Sequence, residues 1–191
     1  MLFSIGHSNQ EQEQFCELLS GHQIQVLVDV RSSPYSRYTS QFNRESLKAA
    51  IEQRGIRYLF MGDQLGGRPV GEQFYDGDGH VLYYKVAEAP FFLEGIERLR
   101  NGSRRYRVAM MCSEEDPAVC HRMLLISKVL TERGEPVSHI RGDGTLQTDS
   151  EIRASTAKLA QGLLFEELEE ESWKSLQSVL PKVQPPNFLG E

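Results

Sequence analysis

Hydrophobic residues along the first 140 positions follow two alternating patterns. Short continuous apolar runs are typical of strands buried on both faces, whereas apolar residues that recur every three or four positions are typical of amphipathic helices. The continuous runs predict five strands, at 2–5, 25–30, 56–61, 107–112 and 136–140. The periodic stretches predict four helices, at 12–20, 45–53, 90–100 and 117–133.

This alternation of strands and helices is typical of an α/β fold. We predict a doubly wound, mostly parallel five-stranded sheet with helices on both faces and a C-terminal helical extension. In the strand order 3-2-1-4-5, the first and fourth strands are neighbours, and the loops that begin at His7 and Cys112 face each other. Ligands bind at that edge of open parallel sheets, so we expect a site there.

Two parts of the chain lie outside the alternation. Residues 63–87 are rich in glycine and predict a long loop, and loops of this length are mostly functional or disordered. The tail has helical stretches, an acidic run at 166–171 and the sequence Gln184-Pro-Pro-Asn187. We therefore predict an α/β core domain at 1–145 and an acidic helical extension with a flexible end at 146–191.

Composition narrows the class of protein. No apolar run approaches the roughly 20 residues of a membrane helix, and the N-terminus lacks a signal-peptide pattern, so we expect a cytoplasmic protein. Three cysteines are too few for a disulfide framework. The net charge of −6 arises mainly from the tail, so the core is nearly neutral. That charge disfavours attraction of nucleic acid to the whole surface but allows a local basic groove.

The segment from Cys112 to Arg122 contains the richest chemistry, because it joins the fourth strand to a predicted helix. Cys112 is either a small core residue or a thiolate activated by the helix N-terminus. The layout resembles the anion-binding loops of rhodaneses and cysteine phosphatases. However, the carboxylates at 114–116 oppose both anion binding and thiolate formation. Asp116-Pro117 predicts a capped helix start.

A thiolate and imidazole metal site is an alternative for the same region. Its ligands would be Cys112, Cys120, His121 and His7, although their spacing matches no standard zinc pattern. Cys120 has a helical position typical of a core residue, and His121 is predicted nearer to solvent. His7 is either a ligand or a structural residue that bonds a loop carbonyl.

Arginines and aromatic residues alternate after the second strand. Between Arg31 and Arg44 there are three arginines and no acids, with Tyr35, Tyr38 and Phe42 among them. This composition suits phosphate contact and base stacking, or else a solvated loop. Arg68 follows two glycines that allow close approach to a ligand or form a plain turn. We expect a bound anion to contact Arg31, Arg37 or Arg68 and to avoid residues 113–116.

Together, these motifs resemble a family known as the domain of unknown function 488. The motifs are Ser4-Ile-Gly-His-Ser8, Leu27-Val-Asp-Val-Arg-Ser32, Gly55-Ile-Arg-Tyr58, Leu65-Gly-Gly-Arg68, Met111-Cys-Ser-Glu114 and Cys120-His-Arg122. The resemblance ends before the tail and implies a compact α/β domain without an established reaction. It also implies a shared site built from His7, Asp29, Arg31, Arg68, Cys112, Glu114, Cys120, His121 and Arg122.

The leading hypothesis is an enzyme, or a related ligand-binding protein, that acts on a nucleotide or nucleic-acid substrate. The residues expected to bind substrate are Asp29, Arg31, Arg37, Arg68, His121 and Arg122, and those expected to carry out or support the chemistry are His7, Glu114 and Cys112. One alternative is a metal-binding or thiol redox-sensing module. Another is a protein interaction module whose acidic tail binds a partner. The sequence specifies no cofactor and no oligomeric state.

Overall fold

The computed structural model describes residues 1–159 and 173–179. The strands are β1 (Leu2–Gly6), β2 (Val26–Asp29), β3 (Arg57–Phe60), β4 (Val108–Cys112), β5 (Val137–Ile140) and β6 (Leu146–Thr148). The helices are α1 (Gln12–Gly21), α2 (Arg44–Glu52), α3 (Gly62–Leu65), α4 (Tyr83–Glu88), α5 (Pro90–Ser103), α6 (Lys128–Glu132) and α7 (Asp149–Leu159). A π-helical stretch at Arg122–Ser127 precedes α6. None of these described helices is long and apolar enough to cross a membrane.

The strands form one sheet in the order β3-β2-β4-β1-β5-β6. The first five are parallel, as predicted, and β6 pairs antiparallel with β5. The predicted count of five strands is wrong because β6 is a three-residue strand without an apolar run. The predicted order 3-2-1-4-5 is also wrong. The crossover through α1 skips one strand position, and β4 occupies it between β1 and β2. β1 and β4 are neighbours, as predicted.

Each face of the sheet is covered by helices and has its own apolar core. Phe15 and Leu19 of α1 and Leu47 of α2 are fully buried in the core of one face. Phe92 and Ile96 of α5 are fully buried in the core of the other face. The strands between these layers are apolar at successive positions because they are buried on both sides. The predicted placement of helices on both faces is therefore confirmed.

The predicted continuous helix at 117–133 is wrong. The Asp116 carboxylate accepts a hydrogen bond from the Ala118 N–H at 3.0 Å and caps only a single 3-10 turn, Pro117–Val119. Cys120 then adopts an extended backbone, with φ −112° and ψ 140°. Helical backbone resumes at His121 and continues through the π-helical stretch into α6. This break changes the directions of Cys120 and His121 relative to a regular helix.

Residues 63–87 contain α3, a 3-10 turn at Glu72–Phe74 and the start of α4, so they are not one long loop. The described tail segment, 173–179, lies against them: the Ser175 N–H donates to the Val81 carbonyl at 2.8 Å. The acidic run at 166–171 and the sequence at 184–187 lie outside the described residues. The division of the chain at 145/146 stays a prediction.

A buried polar network connects β1, β5 and α7. His139 Nδ1 lies 2.6 Å from the Ser4 hydroxyl, and its Nε2 lies 2.5 Å from the Asp149 carboxylate. Ser127 also donates to that carboxylate, at 2.9 Å. Ser4 and His139 are fully buried. His139 is therefore a buried side chain with both ring nitrogens in hydrogen bonds.

Candidate functional site

Two thiols and one imidazole meet where β4 ends. Cys112 Sγ lies 3.7 Å from His121 Nδ1, and Cys120 Sγ lies 3.8 Å from the same atom. All three atoms are within 4.8 Å of one another. The cysteines are 5 % and 1 % exposed and the histidine is 9 % exposed. The prediction that His121 lies near solvent is therefore wrong, because the break at Cys120 directs the imidazole inward.

The His121 ring is held with its Nδ1 toward the two sulfurs. Its other nitrogen, Nε2, lies 3.2 Å from the carbonyl oxygen of Val30. Since a carbonyl only accepts, Nε2 of the neutral ring carries the proton and Nδ1 presents a lone pair. Gly67 packs against this ring so closely that a Cβ there would lie 2.9 Å from Nδ1. Packing against His121 thus explains this glycine.

The Glu114 side chain stands beside the thiols. Its Oε2 accepts hydrogen bonds from Cys112 Sγ at 2.9 Å and from Cys120 Sγ at 3.2 Å. Arg122, which is fully buried, donates to the backbone carbonyls of Glu114 and Glu115. Gly6 allows this loop to approach β1, because a Cβ at that position would lie 1.7 Å from the Glu114 carbonyl oxygen. These contacts fix the loop that carries Glu114.

The two thiols differ in their tendency to ionise. Burial opposes ionisation of Cys120, but hydrogen bonds from Cys112 and His121 outweigh it and lower its pKa. The hydrogen bond to Cys120, together with burial, raises the pKa of Cys112 well above its usual value. Burial disfavours the His121 cation, but the hydrogen bond to Cys120 raises its pKa. Ionisation of Cys120 is therefore linked to the state of Cys112 and His121, which lie against its sulfur.

Arg31 directs its guanidinium into the protein. Its Nε and Nη2 donate to the two oxygens of Asp29 at 2.9 and 2.7 Å, and Nη2 also donates to the Phe42 carbonyl. The Tyr58 hydroxyl donates to Asp29 at 2.6 Å. Asp29 is fully buried and Arg31 is 5 % exposed. The pair therefore forms part of the framework beneath the site.

His7 is a neutral imidazole bound on both sides. Its Nδ1 donates to the Ser8 carbonyl at 2.7 Å, and its Nε2 lies 3.1 Å from Arg31 Nη1. Burial and the charge of Arg31 lower its pKa to about 4. The His7 N–H donates to the Cys112 carbonyl at 3.0 Å. The prediction that the loops beginning at His7 and Cys112 face each other is thus confirmed, although His7 and Cys112 line different cavities.

Two neighbouring cavities open at this edge of the sheet. The larger, of about 450 Å³, lies over the thiols and His121, and Arg68 is part of its lining. The smaller, of about 360 Å³, is bordered by His7. Both share Arg31 and Glu114. Of the other predicted site residues, Arg122 lies behind the loop, and Arg37 lines neither cavity and donates to the Tyr38 hydroxyl.

The sequence profile described as Domain of unknown function DUF488 matches residues 11–129. The chain belongs to this family. The match contains the Asp29–Arg31 pair and the segment from Cys112 to Arg122, whereas His7 precedes it and residues 173–179 follow it. The DUF488 description assigns no reaction. A search of curated proteins and a search of solved structures found no match.

Several residues at the DUF488 site were absent from the sequence predictions. Tyr58 holds Asp29, Tyr83 lines the larger cavity, and residues 175–179 form part of its lining. Tyr58 stands in a motif that carries the family resemblance, but its contact with Asp29 depends on the pairing of β2 with β3. No local pattern marks Tyr83. A signal did exist for the tail: Trp173 is the only tryptophan of the chain and stands in a polar region, so it needs a surface to pack on.

Proposed function

We propose that this DUF488 protein is a zinc-dependent enzyme in which Cys112, Cys120 and His121 bind the metal. The observation that carries the proposal is the spacing of the three ligand atoms, with sulfur–nitrogen distances of 3.7 and 3.8 Å. Zinc bonds of about 2.3 Å to sulfur and about 2.1 Å to nitrogen in a tetrahedral site require about 3.6 Å between such atoms. His7 is outside this set because its two ring nitrogens have partners in Ser8 and Arg31.

The surroundings of the three ligands support a catalytic rather than a purely structural centre. Structural zinc sites use four protein ligands, whereas a set of two cysteines and one histidine leaves a fourth position for water. The ligands lie below a cavity of about 450 Å³ that a substrate could enter. Zinc supplies activation of that water by lowering its pKa toward about 7. Glu114 stands beside both sulfurs and is the group that we assign to proton transfer.

The substrate class that we propose is a nucleotide or another small phosphate-bearing molecule. A cavity of about 450 Å³ lies within the range of small-molecule sites. Arg68 is exposed on its lining, and the hydroxyls of Ser32 and Ser33 are nearby. Arg68 is therefore a better phosphate ligand than Arg31, whose donors are directed to Asp29. Tyr35, which is 55 % exposed on the same lining, offers a ring for base stacking.

A thiol redox function is the second candidate. Cys112 and Cys120 have their sulfurs within 4.8 Å, and the lowered pKa of Cys120 favours a reactive thiolate. Oxidation would join the two sulfurs in a disulfide, with the two electrons taken by a peroxide or a disulfide reagent. Metal analysis separates this candidate from the first.

Protein purified without an affinity tag is expected to contain about one zinc ion per chain, because a Cys2His set binds zinc tightly. Elemental analysis after gel filtration measures this ratio. Cys120→Ala is expected to contain almost none, since it removes one of three ligands. Glu114→Gln is expected to keep the metal, because we assign Glu114 to proton transfer and not to coordination. A metal-free wild type that forms a reversible Cys112–Cys120 disulfide would favour the redox candidate.

A further inference from the structure

Residues 173–179 form one wall of the larger cavity. Ser175, Leu176, Gln177, Ser178 and Val179 all belong to its lining, together with the thiols and His121. This segment lies outside the DUF488 match, which ends at residue 129. The residues around the thiols thus lie within the matched range, whereas this wall lies outside it.

Hydrogen bonds hold the wall against Gly79 and Val81. The Ser175 N–H donates to the Val81 carbonyl at 2.8 Å, and the Val81 N–H donates to Ser175 Oγ at 2.9 Å. The Val179 N–H donates to the Gly79 carbonyl at 3.0 Å. Ser175 is only 7 % exposed. The segment is therefore attached at two points, with Leu176 between them.

Side chains at the start of the segment add further attachment. The Trp173 indole donates to the Leu124 carbonyl at 2.8 Å and packs edge-on against Tyr83, which itself lines the cavity. Lys128 lies over the Trp173 ring at 3.8 Å, and Lys174 forms an ion pair with Asp76 at 2.8 Å. These contacts indicate that residues 173–179 have a defined position beside the cavity.

We propose that residues 173–179 are a selectivity wall, which limits by size the molecules that reach Cys112 and Cys120. Leu176 is 60 % exposed on the cavity lining, so it can contact an entering molecule. The inference rests on the proposed function, because a wall selects a substrate only if the cavity binds one. Its test uses the thiols as reporters and does not require zinc.

The experiment compares two thiol reagents on the full chain after zinc has been removed with a chelator. Iodoacetamide is small, whereas fluorescein maleimide carries a bulky multi-ring group. Ser175→Pro removes the N–H and the hydroxyl that bind Val81, and Leu176→Ala trims the exposed side chain. Val70→Ala is the matched control, since Val70 is 94 % exposed and lies outside the cavity lining. Peptide mass spectrometry gives the rate at each cysteine.

Ser175→Pro is expected to raise the rate of fluorescein maleimide at Cys112 and Cys120 by about tenfold, because loss of the attachment opens the wall. The rate of iodoacetamide should rise much less, and Val70→Ala should change neither. Equal acceleration of both reagents, or of neither, would overturn the proposal. The rate of each reagent on a variant is divided by its rate on the wild type, so the difference in intrinsic reactivity between the two reagents cancels.

Cys16 reports whether a variant has unfolded, because it is a fully buried residue of α1 in the core of the other face of the sheet and is not part of this lining. If Cys16 reacts in Ser175→Pro, that variant has unfolded, and the milder Leu176→Ala then tests the selectivity wall. That variant should accelerate fluorescein maleimide by about threefold while Cys16 stays unreactive. No acceleration there would overturn the wall. If the protein binds no zinc, this test still applies, because the alkylation rates of both thiols are measured in metal-free protein.

Discussion

Asp29→Ala is expected to lower the free energy of unfolding by about 3–5 kcal/mol, because it leaves Arg31 as a buried cation without its carboxylate. Asp29 is fully buried, and it accepts three hydrogen bonds from Arg31, one of them from the backbone N–H, and one from Tyr58. The loss of all four leaves buried donors with fewer partners. Urea unfolding followed by circular dichroism measures the change.

Two further variants test whether the loss of stability comes from breaking the buried ion pair. Glu13→Ala removes the carboxylate partner of Arg54, but the Glu13 side chain is 69 % exposed. It should leave the unfolding free energy almost unchanged. Asp29→Ala combined with Arg31→Met should be more stable than Asp29→Ala alone, because the unpaired charge is removed as well. A double variant no more stable than the single one would contradict the role of the buried charge.

The sequence predicted the secondary structure of the sheet better than its order. β1, β2 and β4 follow from continuous apolar runs, because a strand buried on both faces needs apolar residues at successive positions. The order depends on how far each crossover travels across the sheet. The connection through α1 bypasses one position, and no residue pattern within α1 encodes that distance. The edge strand β6 was missed because Leu146–Thr148 is short and mostly polar.

At the site, too, features that depend on local sequence were predictable, whereas those that depend on tertiary structure were not. The position of Cys112 at the end of a strand was predictable, since it closes an apolar run. The meeting of Cys120 and His121 with Cys112 was not, because helical periodicity does not show that the backbone becomes extended at Cys120. The proposed ligands match no standard zinc spacing in the sequence, although their atoms are as close as a zinc site requires.

The role of Arg31 was predicted incompletely for a related reason. An arginine in a loop with aromatic residues suits phosphate binding when its donors are free. Here Asp29, two residues earlier and at the end of β2, binds the guanidinium through both oxygens. A sequence cannot show whether a nearby carboxylate points toward the arginine or away from it. Arg68 is exposed and lies on the cavity lining, and it is the arginine to which we assign phosphate contact in the proposed function.

Arg122→Met is expected to destabilise the fold by about 3–4 kcal/mol, because it removes two charge-assisted hydrogen bonds and leaves two carbonyls with fewer partners. Arg122 is fully buried and donates to the carbonyls of Glu114 and Glu115. Thermal and urea unfolding measure the loss. Methionine keeps much of the side-chain volume, so a cavity contributes little to the effect.

The same variant is expected to weaken zinc binding by about tenfold, because residues that orient metal ligands typically contribute that much or more. Arg122 is not a proposed zinc ligand. It directly follows His121, and it fixes the loop between Cys112 and Cys120. Competition with a chromogenic chelator measures the affinity. Arg141→Met is the matched control, because Arg141 binds the Glu115 side chain and not the loop carbonyls. Equal zinc affinity in the two variants would show that the loop keeps its shape without Arg122, and that the ligands alone organise the metal site.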